Sequence, residues 1–286
     1  MARRPERGLL RALIRRLVPG PVRAALRRTV ADARFRRQDF ATDLRERFSA
    51  PTGIPLPPAG LRHRVGPNSS RAEFLHVGEL CAEDLLEVYR RLGRPPQADR
   101  HWLDFGCGCG RVARHLIGAG AQARCGSGGL VYTGVDVDRR QIAWASRNLP
   151  GRFEVIPTAP PTALASDSFD VIFTISVFTH LDERAQEAWL GELTRLLRPG
   201  GLLLATTHAP EIARTSPGVT APELARLEQR GFLFRPSVGP FNEQSAFHSE
   251  AYLRSTWSRH LAGRGYFPYA LGRFQDISAW EKADPV

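Results

Sequence analysis

Hydrophobic positions in the middle of the chain fall into two alternating patterns. Short apolar runs at 101–105, 131–136, 152–156, 169–175 and 201–207 have the length of buried strands. Stretches at 110–118, 139–148 and 182–197 place apolar residues at helical spacing, and a further helix is expected at 79–92, ahead of the first strand. Strand and helix alternating at this length predict parallel pairing with right-handed crossovers, hence an α/β, doubly wound sheet. After 207 the pattern changes. A helix is expected at 249–262, followed by two apolar segments, 266–271 and 274–280, joined near Gly272. The stretch 209–248 is too long for a simple connection and too polar for a strand, with a short helix at 221–229 inside it. It reads as a lid or substrate wall over the carboxyl ends of the strands, where open α/β sheets bind ligands.

The sharpest local signal is Trp102-Leu-Asp-Phe-Gly-Cys-Gly-Cys-Gly-Arg-Val-Ala-Arg114. A strand closes at Asp104, glycines follow at 106, 108 and 110, and a helix begins with Val112, Leu116 and Ile117. Glycines at a strand-to-helix turn permit positive φ and a close approach of backbone to ligand, and the helix start offers free N–H groups. Gly108, Gly110 and Ala113 satisfy a relaxed dinucleotide fingerprint, a weak match by itself. Asp104, two places before the first glycine, suits an ammonium group better than a pyrophosphate. Val131-Tyr-Thr-Gly-Val-Asp136 then ends in a carboxylate able to accept two ribose hydroxyls, while Asp138 is the better N-cap for the helix that follows.

Strand, Asp-x-Gly-x-Gly-x-Gly and helix together resemble the first motif of class I S-adenosylmethionine-dependent methyltransferases. The later elements follow in that superfamily's order over about residues 74–282. The resemblance implies a Rossmann-like, mostly parallel sheet with an antiparallel last strand, the tail segments forming its hairpin. It implies S-adenosylmethionine as cofactor, contacted by Asp104, Gly106, Gly108, Gly110, Asp136, Val137, Thr158 and Ser176. The stretch after the third strand, Val155-Ile-Pro-Thr158-Ala-Pro-Pro161, lacks the acidic or amide residue that many members place against adenine. Thr158, backbone groups or apolar walls are left for that contact. His180, in Ser176-Val-Phe-Thr-His180-Leu, is the candidate general base for a hydroxyl acceptor; a histidine there also serves to fix the loop by a hydrogen bond. His208 and His248 are expected at the cleft edge as substrate contacts. Ser-Val-Phe-Thr-His-Leu, Trp189-Leu-Gly-Glu-Leu, Thr207-His208, Ala246-Phe-His-Ser and Gln275-Asp276-Ile look like bacterial small-molecule methyltransferases found among glycosyltransferases. That points to small-molecule, sugar or lipid-linked glycan acceptors and to O-methylation.

Charge divides the chain. Residues 1–50 carry 14 arginines against 5 acids, whereas the whole chain carries +11. Leu9, Leu10, Leu13, Ile14, Leu17 and Val18 form an apolar stripe among these arginines, the pattern of a helix lying on an anionic membrane surface; a solvated arm or a contact in a homo-oligomer fits equally. Residues 1–50 are therefore expected to be a basic helical arm, 51–73 a Pro/Gly-rich linker and 74–286 the methyltransferase domain. Arginines interrupt the apolar core that a secretory signal would need, and the longest apolar run is too short to span a membrane. Cys81, Cys107, Cys109 and Cys125 show no metal-ligand spacing and read as reduced thiols of a cytoplasmic protein, peripheral to the inner membrane face if the arm binds there.

Three other classes compete. A nucleic-acid methyltransferase would explain the basic arm, but the remaining residues are nearly neutral and Ser176-Val-Phe-Thr stands where such enzymes carry Asn-Pro-Pro-aromatic. The intact glycines and Asp136 argue against a non-catalytic binding or scaffold protein of the same fold, which cofactor binding without turnover would support. An NAD-dependent oxidoreductase shares the fingerprint and would be separated by binding of S-adenosylhomocysteine against NAD.

Overall fold

The computed structural model describes residues 37–44, 54–66, 70–94, 99–117, 130–236 and 244–284. The stripe from Leu9 to Val18 and the glycine-rich insertion at 118–129 lie outside them. Helix α1 (Arg71–Arg91) leads into β1 (His101–Phe105), α2 (Ala113–Ile117), β2 (Val131–Asp136), α3 (Arg139–Asn148), β3 (Arg152–Val155) and β4 (Phe169–Thr174). Then come α4 (Glu183–Leu196), β5 (Leu197–Thr207), α5 (Pro210–Thr215), α6 (Ala221–Arg230), β6 (Phe232–Arg235) and β7 (Ser245–His248). The chain closes with α7 (Glu250–Thr256), β8 (Ala262–Leu271) and β9 (Gln275–Glu281).

Seven strands form one sheet in the order β3-β2-β1-β4-β5-β9-β8, with β1 to β5 parallel and β9 and β8 antiparallel. Strand order reverses between β1 and β4, which opens a crevice at their carboxyl ends. Both faces are covered, so the strands read as continuous apolar runs whose alternate residues serve different cores. Trp102, Val171, Phe173, Leu202 and Leu204 pack under α1, α2 and α3, with Leu85, Tyr89, Leu116 and Ile142. Leu103, Phe105, Ile172, Leu203 and Ala205 point the other way, onto Trp189, Leu190 and Leu193 of α4 and Trp257 beyond α7. A one-residue slip in any central strand would exchange these two sets.

The structure refines several boundaries. The glycine turn runs on past Gly110, so α2 begins only at Ala113. β5 starts at Leu197 rather than 201, with a break in register where Phe169 pairs Leu197 and Val171 next pairs Leu202. The helix expected at 249–262 stops at Thr256 and ends in a 3-10 turn, Trp257–Arg259, because β8 already begins at Ala262. The stretch 209–248 was expected to hold no strand, yet it contains the antiparallel pair β6–β7 besides α5 and α6. Leu233 and Phe247 from that hairpin bury a small core with Ala213 and Leu227. Four-residue strands leave too short an alternation to read.

Residues 54–66, expected to be linker, are packed on the core. Ala59 and Arg62 are buried, and the Arg62 guanidinium donates to the Pro57 carbonyl. The helix at 37–44 contacts the same segment, Asp43 accepting from the Ala59 N–H at 2.8 Å. Proline-rich composition fixes backbone φ but does not stop a segment from burying its small side chains.

Candidate active site

The glycine turn is shaped by β2. Val135 accepts from the N–H groups of both Gly106 (2.8 Å) and Cys107 (2.9 Å), and Gly108 N–H donates to the Asp136 carboxylate at 2.9 Å. Gly106, Gly108 and Gly110 all have positive φ, at 87°, 56° and 74°. Space is also lacking. A Cβ at Gly106 would meet Val177 at 2.4 Å, at Gly108 Val65 at 2.5 Å, and at Gly110 Leu149 at 2.2 Å. The glycines are thus required first by backbone conformation and by protein neighbours, and a substitution at Gly108 would displace the 54–66 segment and Gln141 before it reached any ligand.

Asp104 is 3 % exposed and accepts a 2.5 Å hydrogen bond from the Tyr132 hydroxyl. Burial pushes its carboxyl up to about 7, the Tyr132 bond acting in the opposite sense. Asp136, at the end of β2, is partly exposed; burial raises its pKa while the N–H groups of Asp138 (2.8 Å) and Gly108 lower it. Two N–H bonds leave acceptor capacity on both oxygens of this carboxylate. Asp138 caps α3, accepting from Arg140 and Gln141, and pairs with Arg64 at 2.7 Å. Against the upward push of burial, those N–H groups and the Arg64 charge hold its carboxyl below the usual range. Val137 is exposed beside Asp136, and Thr158 lies exposed on the loop after β3. Glycine turn, carboxylate and exposed apolar residue therefore gather at one rim, as a nucleoside bearing an amino-acid tail requires.

Across the switch point, Ser176 holds φ of 58°, a costly conformation for a residue with a Cβ. Its neighbours enforce it: Ser176 N–H donates to Thr206 Oγ1 and the Gln275 amide donates to Ser176 Oγ, each at 2.8 Å. The same Gln275 nitrogen lies 3.2 Å from Nε2 of His208, whose ring packs edge-on to Phe274. Burial, with the nearby His180 charge, lowers His208 to about 4, so it is neutral at ordinary pH. His180 ends a 3-10 turn, Phe178–His180, and its Nδ1 sits 2.7 Å from the Gln244 carbonyl just before β7. A carbonyl only accepts, so the proton is on Nδ1 and Nε2 keeps its lone pair.

His248 departs from expectation. It is 0 % exposed, its Nε2 against the Gln186 amide and its ring boxed by Phe232, Tyr252 and Trp257. Burial lowers its pKa to about 3. An imidazole so enclosed anchors β7; it is not at the cleft edge. Residue type points to the histidines and not to the polar residues that fix them. Thr206 and Gln275 are buried polar positions at strand ends, a legible signal, whereas Gln186 is one polar residue among several on a helix face. Among the described residues no cluster of His, Cys, Asp and Glu could hold a metal ion.

Residues 103–203 match a family model described as a methyltransferase domain. The chain is 30% identical over 164 residues to a phthiotriol/phenolphthiotriol dimycocerosates methyltransferase from Mycobacterium ulcerans, covering 54% of this chain and 56% of that one. It is 30% identical over 151 residues to an O-methyltransferase from Pyrenophora dematioidea, covering 46% and 52%. The chain thus spans about half the length of these curated relatives. A solved S-adenosylmethionine-dependent methyltransferase from Methanosarcina mazei shares the fold at a TM-score of 0.51 and 16% identity, covering 69% of this chain and 98% of that one. Residues 103–203 thus carry a methyltransferase domain, and the fold is that of the class I S-adenosylmethionine-dependent methyltransferase superfamily. S-adenosylmethionine is the cofactor of that superfamily.

Proposed function

We propose that this chain transfers a methyl group from S-adenosylmethionine to a hydroxyl of a small molecule, sugar or lipid-linked glycan, with His180 as general base. The observation that carries the reading is the bond between His180 Nδ1 and the Gln244 carbonyl, which leaves Nε2 as a proton acceptor beyond the carboxyl end of β4. Asp104 with Gly106, Gly108 and Gly110 would hold the amino-acid end of the cofactor, Asp136 the ribose, and Val137 with Thr158 would flank the adenine. The residues fit such a group: Asp136 has acceptor capacity to spare and Asp104 is a carboxyl whose ionisation a neighbouring ammonium would favour. The bound cofactor supplies a methyl already electrophilic on a sulfonium. What remains for the protein is to hold the acceptor in line, exclude water and receive a proton, which is worth about 10²–10⁴-fold for a well-placed base. Ser176 and Gln275 fix the turn beside the cofactor site, His208 and Phe274 form the acceptor-side wall, and the 209–248 insertion covers it.

The names of the two relatives, one a phthiotriol/phenolphthiotriol dimycocerosates methyltransferase and one an O-methyltransferase, support a hydroxyl-bearing acceptor. The basic arm would hold the enzyme on the inner, anionic face of a membrane, where a lipid-linked acceptor resides. Incubating the protein with methyl-labelled S-adenosylmethionine and an extract of its source cells, then separating lipid, glycan, small-molecule and RNA fractions, tests the reading. Label in one of the first three that survives base and is released as methyl iodide by hydriodic acid supports O-methylation of that class. Label confined to RNA would replace it with nucleic-acid methylation.

A further inference from the structure

Gln186 lies on α4, away from the cofactor rim, and is 2 % exposed. Its amide nitrogen is 3.2 Å from the Phe178 carbonyl and 3.0 Å from the Leu181 carbonyl, the two groups that bracket His180 in sequence. Its nitrogen is 2.9 Å and its oxygen 3.1 Å from Nε2 of His248, the last residue of β7. An amide has two hydrogens and one acceptor oxygen, so one side chain can serve both carbonyls and receive the His248 proton. The two partners belong to different units. Phe178 and Leu181 fix the turn that carries His180, while His248 ends β7, the strand entered from Gln244, whose carbonyl meets His180 Nδ1. The hairpin is tied to the main sheet near the same point by His248 N–H donating to the His208 carbonyl at 2.8 Å.

We propose that Gln186 is a positioning residue for methyl transfer: by clamping the His180 turn to the lid hairpin it keeps the proton on Nδ1 and the lone pair on Nε2. The inference rests on the reading of His180 as base. Without the clamp the turn and the hairpin are free to separate, the Gln244 carbonyl leaves Nδ1, and the imidazole returns to the mixture dominated by the Nε2–H form that a free side chain prefers. A base with its proton on the wrong nitrogen cannot accept another there.

The test uses full-length protein labelled with ¹⁵N-histidine and saturated with S-adenosylhomocysteine. Long-range ¹H–¹⁵N correlations report the tautomer of each imidazole, and a His180→Gln spectrum assigns the His180 signals. In the unmodified protein His180 is expected as the Nδ1–H tautomer. Both Gln186→Leu and Gln186→Glu are expected to move it toward Nε2–H; the second keeps the shape and an acceptor for His248 but, even protonated, can donate to only one of the Phe178 and Leu181 carbonyls. Methyl transfer into the labelled extract fraction should fall about tenfold or more in each, the scale of a small misplacement of a catalytic group, with S-adenosylhomocysteine affinity held within about twofold. An Nε2–H tautomer in the unmodified protein would overturn the base reading together with this one. An Nδ1–H tautomer that persists in both variants would overturn the role of Gln186 and leave the base reading standing. Collapse of both variants in a melting curve would also overturn it, since Gln186 would then serve the fold as a whole.

Discussion

Asp104 and His180 show how one neighbour sets the chemistry of a side chain. The Asp104 carboxyl is raised to about 7 because burial penalises its charge more than the Tyr132 hydroxyl supports it. An ammonium placed beside it reverses that balance and favours the ionised form. The direction follows: below about pH 7 Asp104 is protonated before binding and ionised after it, so binding releases a proton and affinity falls as pH drops, by at most about tenfold per unit. Calorimetric titration with S-adenosylhomocysteine at about pH 6, in two buffers of different ionisation enthalpy, should reveal that proton. Identical heats in both buffers would mean that Asp104 does not face the ammonium. At His180 the controlling neighbour is a main-chain carbonyl. Residue type alone identified the histidine as a candidate, but only the position of Gln244 assigns which nitrogen is basic.

At the scale of elements, the lid hairpin is held by a neutral histidine sunk among aromatic rings. Burial depresses His248 to about 3, from an ordinary value near 6.5. The unfolded chain therefore binds the extra proton first, and stability supplied above about pH 6.5 is lost as pH falls toward about 3. Asp104 works in the opposite sense between about 4 and 7, its protonated form being favoured in the fold. The useful measurement is thus a difference: His248→Phe should flatten the fall in stability across the acid range by up to about 1.4 kcal/mol per pH unit. Parallel stability curves for the two proteins would show that His248 ionises without strain. The same hairpin marks where the sequence became unreadable. Leu103, Ile172 and Leu203 declare their strands because both faces of the sheet are covered and the apolar runs are unbroken. Phe232–Arg235 and Ser245–His248 are four residues each, and the core beneath the pair is completed by Ala213 and Leu227 from outside it. Pro58 to Val65 misled for a related reason, since Ala59 and Arg62 are buried by contacts with 37–44 and the glycine turn that composition cannot report. Gly106, Gly108, Gly110 and Asp136 were legible because a strand-to-helix turn places them by local rules; Gln186 acts across the fold and was not.

For the molecule as a whole, charge and fold are segregated. Residues 1–50 hold 14 of the arginines, and on the adjoining helix at 37–44 Phe40 is 71 % exposed and Leu44 48 %. A membrane-surface arm needs both its apolar stripe and its charge, whereas a nucleic-acid arm needs mainly the charge. Full-length protein should sediment with phosphatidylglycerol vesicles, and removal of residues 1–36 should abolish this while sparing the contact of Asp43 with Ala59. Changing Leu13 and Leu17 to Ser should weaken binding nearly as much, each forfeiting about 1.5–3 kcal/mol of apolar burial. Indifference to such vesicles at physiological salt would reassign the arm to a subunit contact. Methyl transfer itself is tested by replacing His180 with Ala and following the rate of label transfer into the acceptor fraction, alongside S-adenosylhomocysteine affinity. Loss of a general base predicts a rate lower by about 10²-fold or more at unchanged cofactor affinity, whereas a drop of less than about threefold would contradict it.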